Sequence, residues 1–344
     1  MDTLDHFFDL SQLSGSVDIH CLFQGEWQVR HEPGSRGQGR LHIVVSGHGN
    51  VQIDQDQNVE LRAGDIIFFP RAHGHSLSHA TPFSSLVSTD LPWHQDSITD
   101  SIENKSILAS TSLPTHQGQA EQTQSNHPVT DLQIIQVGAF QRKQCGQGTP
   151  EMELFCGRFY YDSHADLFNN LPDYIHLQCK HPSLLSLIRL LQAEASQTQS
   201  GSRIIINSVS TVILALIIRQ YLSQSTEGEL SGVLRAWQDH RLQAAIQAVI
   251  QEPHKAWSID DMLSLSPMSR AQFMRIFKQE VGLSPHAFVT HMRLQKAAQL
   301  LHQSNHSILS IALSVGLQSE THFGKVFKRH YGMTPGAYRS KARP

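Results

Sequence analysis

The sequence predicts an α+β multidomain chain: an N-terminal antiparallel β-barrel, a helical middle region, and a C-terminal all-α domain holding two helix-turn-helix units. Three observations predict it. Short alternating apolar segments, broken by evenly spaced turns, fill residues 1 to about 92. Two long apolar helical patterns lie between 182 and 222. The last hundred residues are written twice, since Phe273, Phe277-Lys278, Gly282 and Ser284-Pro285 recur as Phe323, Phe327-Lys328, Gly332 and Thr334-Pro335 at an offset of 50. A period of that size marks one supersecondary unit used twice.

Taken in order, Leu41 to Val45 reads as a strand stopped by Ser46-Gly-His-Gly-Asn50, a hairpin-type turn. Val51 to Ile53 and Val59 to Leu61 alternate, and Gly64-Asp65 precedes the run Ile66 to Pro70. From about Trp93 to Glu151 Ser, Thr, Gln, Asn and His dominate, so a mobile insertion is expected there, with Cys145 in its exposed tail. Leu154 to Phe159 returns to strand, and Leu167 to Cys179 is irregular. The β domain is therefore bounded at 162. A helical linker or dimerisation region over 163–232 contains one helix from Pro182 to Ala195 and another from Ile204 to Leu222. The second is apolar nearly all round, which predicts burial within the domain or against another subunit.

The all-α domain spans 236–344, with units at 258–282 and 307–332. In the first unit Ser258 caps a helix with Asp261 closing a capping box, and Ser269 opens the next with Gln272 as its reciprocal partner. Phe273, Ile276 and Phe277 share one buried face, leaving Arg270, Ala271, Met274 and Arg275 outside. In the second unit Ser307 caps Ile308 to Ser314, and Gly316 supplies the turn. Ser319 caps a helix that buries Phe323, Val326 and Phe327. Glu320, Thr321, Gly324 and Lys325 then face out. A helix from His286 to Leu301 joins the units, opened by Ser284 before Pro285. About 16 residues span roughly 24 Å, a suitable spacer for two helices entering major-groove segments about 34 Å apart.

Charge follows the same division. The net charge is −3 overall, but residues 236–344 hold 13 Lys and Arg against 6 Asp and Glu, while the other 235 residues hold 14 against 24. Concentrated basic charge is what phosphate binding requires. The N-terminus shows no basic segment followed by an apolar core, and the longest apolar run, near Val212 to Ile218, is short for a bilayer. Cys21, Cys145, Cys156 and Cys179 show no Cys-x-x-Cys and no framework spacing, which fits a reducing cytoplasm.

Met268 to Lys278, Arg293-Leu with Ala297 and Leu300-Leu301, Ile311 to Leu317, and Phe323 to Arg339 together resemble the AraC/XylS family of bacterial transcription regulators. Ser266-Pro267 replaces that family's glycine-containing turn, and Leu317 stands where it usually has phenylalanine. The resemblance implies promoter or operator DNA and RNA polymerase as partners, a homodimer, and activation as the commoner mode. The expected DNA-binding set is Ser269, Arg270, Ala271, Gln272, Met274, Arg275, Arg293, Ser319, Glu320, Thr321, His322, Lys325, Lys328, Arg329 and Arg339. Arg270 and Arg275 can reach guanine or phosphate, and Glu320 can accept from cytosine. Arg293, Lys328, Arg329 and Arg339 are expected on the backbone.

Gly64-Asp65, Pro70 and His75 resemble the second motif of the cupin fold, and Leu41-His42-Ile43 to Gly47 what is left of the first. A cupin-like sensing domain is thereby implied. Cys21, ahead of Trp27, is similar to the oxidised cysteine of a reactive-chlorine-sensing subgroup, with Thr89 in the region of that subgroup's second cysteine. Cys21, His42 and His75 are the sensing candidates, for a small-molecule effector or an oxidant; a sensing thiol must be exposed and acidic, and a buried apolar cysteine is the alternative. His42, His73, His75 and His79 invite a metal. Arg40 and Val44, however, occupy the region of a catalytic cupin's His-x-His and glutamate, so no metal and no cofactor is expected. The rival classes are a cupin metalloenzyme with a helical appendage and a protein that binds nucleic acid without sequence preference.

Overall fold

The computed structural model describes residues 2–54, 57–79, 132–197, 199–226 and 228–342. Asp2 and Asp5 form a capping box at the start of α1 (Thr3–Ser11). Eleven strands follow among the described residues: β1 Ser14–Phe23, β2 Gln28–His31, β3 Gln38–Ser46, β4 His48–Gln52, β5 Asn58–Arg62, β6 Asp65–Phe69, β7 His75–Ser78, β8 Gln133–Val137, β9 Phe140–Cys145, β10 Met152–Tyr160 and β11 Ile175–Gln178. The one-turn helix α2 (Asp166–Asn169) precedes β11. One sheet runs β11-β6-β3-β10-β1-β9-β8 and the other β2-β7-β4-β5. All pairings are antiparallel except β1 with β9. Ile19, Cys21, Phe23, Val44, Val51, Leu61, Ile67, Phe69, Leu77, Leu154 and Cys156 form the core of this β domain. The β3–β4 turn needs Gly47. Its φ is +86°, and a Cβ there would lie 2.0 Å from the Glu151 carbonyl oxygen.

Three expectations change. The polar segment ends in two strands, β8 and β9, well before 151; residues 93–131 and Thr89 lie outside the described residues. Cys145 is buried at the end of β9, opposite Phe23, and is not in an exposed tail. The β domain passes the expected boundary at 162: β11 pairs with β6 from Ile175↔Phe68 to Gln178↔Asp65, where an irregular stretch was expected.

The helices are α3 Pro182–Ser196, α4 Ser202–Gln224, α5 Gly232–Gln238, α6 Gln243–Gln251, α7 Ile259–Leu263, α8 Arg270–Val281, α9 Pro285–Gln303, α10 Ile308–Ser314, α11 Glu320–Tyr331 and α12 Pro335–Ala342. Helix α4 is long and apolar enough to cross a membrane by length and composition. It packs on β1 and α3 instead, burying Ile206, Val209, Ile213, Leu214, Ile217 and Ile218. Its buried Ser210 Oγ accepts from Val17 N–H at 2.8 Å and donates to Ile206 O at 2.6 Å. Within the chain the helix is not covered all round: Ile204 is 71% exposed and Val212 47%, on one stripe with Ser208.

The two repeat units have separate cores. Met262, Phe273, Ile276, Phe277, Phe288 and Met292 join the core that contains α1 and α4–α6. Ala297, Leu301, Ile311, Phe323, Val326, Phe327 and Tyr331 form their own. Both expected capping patterns are present: Ser258 with Asp261, and Ser269 with Gln272. Gly282 and Gly332 end α8 and α11 in the left-handed conformation at φ +81° and +73°.

Candidate DNA interface and the buried histidine–cysteine cluster

Helices α8 and α11 occupy equivalent places at the two ends of α9, which is 19 residues long and so about 28 Å. Ser269, Arg270, Ala271, Gln272, Met274 and Arg275 are exposed on α8 and its cap, as are Ser319, Glu320, Thr321, His322, Lys325, Lys328 and Arg329 on α11 and its cap. Local capping fixes where each helix begins. Gln272 Oε1 accepts from Ser269 N–H at 3.2 Å and Oγ–H at 3.0 Å, while Ser319 Oγ accepts from His322 N–H at 3.2 Å.

The cations on this face are not equivalent. Arg270 is held by Asp260 of α7 at 2.5 Å. Arg275, Lys325, Lys328 and Arg329 make no hydrogen bond or ion pair among the described residues and are available to a polyanion. Arg293 and Arg339, expected on the DNA backbone, are both half-buried and engaged with protein carbonyls. Arg293 donates to Pro253 O at 2.8 Å and Lys255 O at 2.9 Å, and Arg339 to His306 O at 2.5 Å. Their first task is to brace α9 and α12 against the loops before α7 and α10. Burial lowers the Arg293 pKa from its ordinary value.

Behind the DNA face, the segment after β10 docks on the second repeat unit. His291 Nε2 of α9 meets Asp166 Oδ2 of α2 at 2.8 Å, and Gln295 Nε2 donates to His164 O at 2.7 Å. Tyr338 of α12 donates to the Asp162 carboxylate. His164 lies 4.5 Å from Tyr331 and 4.9 Å from His330, ring to ring. Burial works against the His291 charge, but the charge and hydrogen bond of Asp166 outweigh it and raise the pKa. His330 falls to about 4, through burial first and then the neighbouring His291 and His164. Nothing in the sequence signalled this contact, because its partners lie 125 or more residues apart.

A second cluster lies inside the β domain. Cys21 of β1 and Cys156 of β10 are diagonal neighbours on one sheet face, with Sγ atoms 3.8 Å apart. His42 Nδ1 is 3.0 Å from Cys156 Sγ, and His42 Nε2 is 2.8 Å from His75 Nε2. His75 Nδ1 donates to His73 O at 2.7 Å, and its ring stacks on Phe69 at 3.9 Å. His31, which the sequence did not single out, completes the group, its ring 5.0 Å from His42 and 4.8 Å from His75. The side chains of His73 and His79 lie elsewhere, toward Asp54 and Glu151. Burial holds all three rings neutral, taking His31 to about 3, His75 to about 4 and His42 well below its ordinary value. The hydrogen bond with the Cys21 thiol, and then burial, push the Cys156 thiol up. The three sensing candidates thus share one cluster, but Cys21 is only 3% exposed and is not a surface thiol. His20, its sequence neighbour, turns to the other face and pairs with Glu153 at 2.9 Å.

Two domain families match the chain: Cupin over residues 2–223 and Helix-turn-helix domain over 265–341. The HTH-type transcriptional regulator MtrA of Neisseria gonorrhoeae is 44% identical over 342 residues, 99% of each chain. The RCS-specific HTH-type transcriptional activator RclR of Escherichia coli K12 is 26% identical, covering 100% of this chain and 99% of its own. An AraC-type DNA-binding regulator structure from Chromobacterium violaceum is 32% identical over 30% of this chain and 92% of its own, with a TM-score of 0.29. The chain belongs to the AraC-type helix-turn-helix transcriptional regulators with an N-terminal cupin domain, and it is a DNA-binding transcription regulator rather than an enzyme.

Proposed function

We propose that the chain is a homodimeric activator whose two repeat units read adjacent major-groove segments of a promoter and whose cupin domain senses a small molecule or an oxidant. One observation carries the DNA reading: α8 and α11, joined by one braced helix, bury their phenylalanines and turn Arg275, Lys325, Lys328 and Arg329 outward without protein partners. The reading assigns Arg275 and Glu320 to base edges and Lys328 and Arg329, in the last turn of α11, to phosphates. The protein acts in the cytoplasm, on DNA and with RNA polymerase.

Binding to the protein's own upstream DNA at fixed salt tests this. Arg275→Ala relaxes preference at particular base pairs by about 1–3 kcal/mol, whereas Lys328→Ala weakens all sequences alike. Affinity that falls with salt and ignores sequence in the unsubstituted protein would leave only non-specific binding.

Dimerisation is supported by the apolar stripe Ile204–Ser208–Val212 on α4 and by Leu185 and Leu190 on α3, all exposed in the single chain. Activation and an oxidant signal are supported by the name of RclR, and the oxidant also by the Cys21–Cys156 approach. Oxidant-dependent transcription that disappears in Cys21→Ser identifies a thiol sensor. Identical behaviour of the two proteins turns the search to a ligand inside the barrel.

A further inference from the structure

We propose that His31, His42 and His75 form a binding site for one divalent ion of the zinc, cobalt or nickel class, with a fourth coordination position open. The side chains come from three strands, β2, β3 and β7. One ring nitrogen from each lies within 4.8 Å of the other two. A tetrahedral ion holding nitrogens at 2.0–2.1 Å keeps them about 3.4 Å apart. The 2.8 Å His42–His75 pair therefore opens slightly, and the widest separation closes by about 1.4 Å, a ring adjustment rather than a backbone one.

The hydrogen bonds say which atoms are free. The His73 carbonyl can only accept, so His75 carries its proton on Nδ1 and presents the Nε2 lone pair. His42 then donates from Nε2, and its Nδ1 accepts from the Cys156 thiol. His31 Nε2 is buried and has no partner. With the His42 proton moved to Nδ1, the rings can turn lone pairs on a common centre, which suits a cation and not an anion. The carbonyl on His75 Nδ1 and the Phe69 ring against its face hold the ring as outer-shell partners of metal ligands do.

This set is not the His-x-His and glutamate of a catalytic cupin. His31 comes from a separate strand, and the cluster holds no carboxylate. Two cations oppose the site. Arg40 raises the local potential at all three rings, and Lys143 at His31 and His42. Arg40 Nη1 is itself buried without a hydrogen-bond partner. Loading the ion on His42 Nε2 moves that ring's proton to Nδ1 and turns the Cys156 bond around. Occupancy is thereby communicated to the Cys21–Cys156 pair.

The test uses the full chain, stripped with a chelator, given Zn²⁺ or Co²⁺, and passed through gel filtration. Metal per chain is measured, with the visible absorption of Co²⁺ reporting the coordination. The unsubstituted protein is expected to keep one ion per chain. His31→Gln and His75→Gln are each expected to weaken retention at least tenfold, while His73→Gln and His79→Gln retain it. His31→Gln is the informative variant, because its Nε2 supports no other contact and the fold, checked by circular dichroism, survives. Three results would overturn the proposal: no stoichiometric ion on the unsubstituted chain, equal losses in all four variants, or stabilisation of the metal-free protein by chloride or phosphate alone that depends on His31. DNA binding is scored separately, so failure here leaves the reading of α8 and α11 standing.

Discussion

Asp166→Asn is the most direct test of the contact that couples the cupin domain to the second repeat unit. His291 and Asp166 meet at 2.8 Å with side chains only 16% and 14% exposed, so solvent screening is weak. A hydrogen bond between charged groups in such a place contributes about 1.5–3 kcal/mol. The asparagine keeps the shape and loses the charge, so burial alone then acts on His291 and its pKa drops from above the ordinary histidine value to below it. The sign follows from linkage. A raised histidine contributes stability that is fully present below its unfolded pKa and is lost as pH rises through the folded one. His330 acts oppositely: lowered to about 4, it costs stability as pH falls from the unfolded value toward 4. The His291 effect is therefore read on the alkaline side, by thermal melts at about pH 6 and about pH 8.5. At pH 6 Asp166→Asn melts lower by about 4–8 °C, taking about 2 kcal/mol and 2–4 °C per kcal/mol. At the higher pH the two proteins converge. If Asp166→Asn keeps the full pH dependence of the unsubstituted protein, the contact is not what His291 reports, and the coupling argument fails.

Further substitutions separate bracing from recognition. Arg293→Ala frees two carbonyls and lowers the melting temperature together with binding to every DNA sequence, unlike the base-specific loss of Arg275→Ala; competition binding on a panel of sites distinguishes them. Gly316→Ala places a methyl 2.4 Å from the His254 carbonyl oxygen at φ +83°, so the α10–α11 turn must shift, and proteolysis is expected to cut the second unit first. Phe323→Ala removes a fully buried ring from the second unit's own core, a loss of about 3–5 kcal/mol. Calorimetry is expected to show that unit melting early, with the first unit's transition retained.

The DNA-binding half was legible because its information is local. Caps, the helical spacing of phenylalanines and the repeat of 50 all act within a few turns of backbone, and the outward positions assigned to α8 and α11 are exposed except Gly324, which is half-buried. Arg293 and Arg339 escaped this reading, since their partners lie 33–40 residues away across a helix junction. A basic side chain in a basic domain looks the same whether it holds phosphate or carbonyl. In the β domain the difficulty is topological. Cys21 meets Cys156 across 135 residues because β10 inserts between β1 and β3, and His42 meets His75 across 33 residues and between the two sheets. Strand β9 was hidden by its composition: only Phe140 and Cys145, at its two ends, are buried, so no alternation is visible. The same topology explains why Cys21 could not be judged from its own segment. Its position is set by a β-ladder, and its chemistry by a partner the sequence keeps far away. Replacing Cys156 by Ser therefore bears on the sensing question as directly as replacing Cys21, since the two buried sulfurs lie 3.8 Å apart.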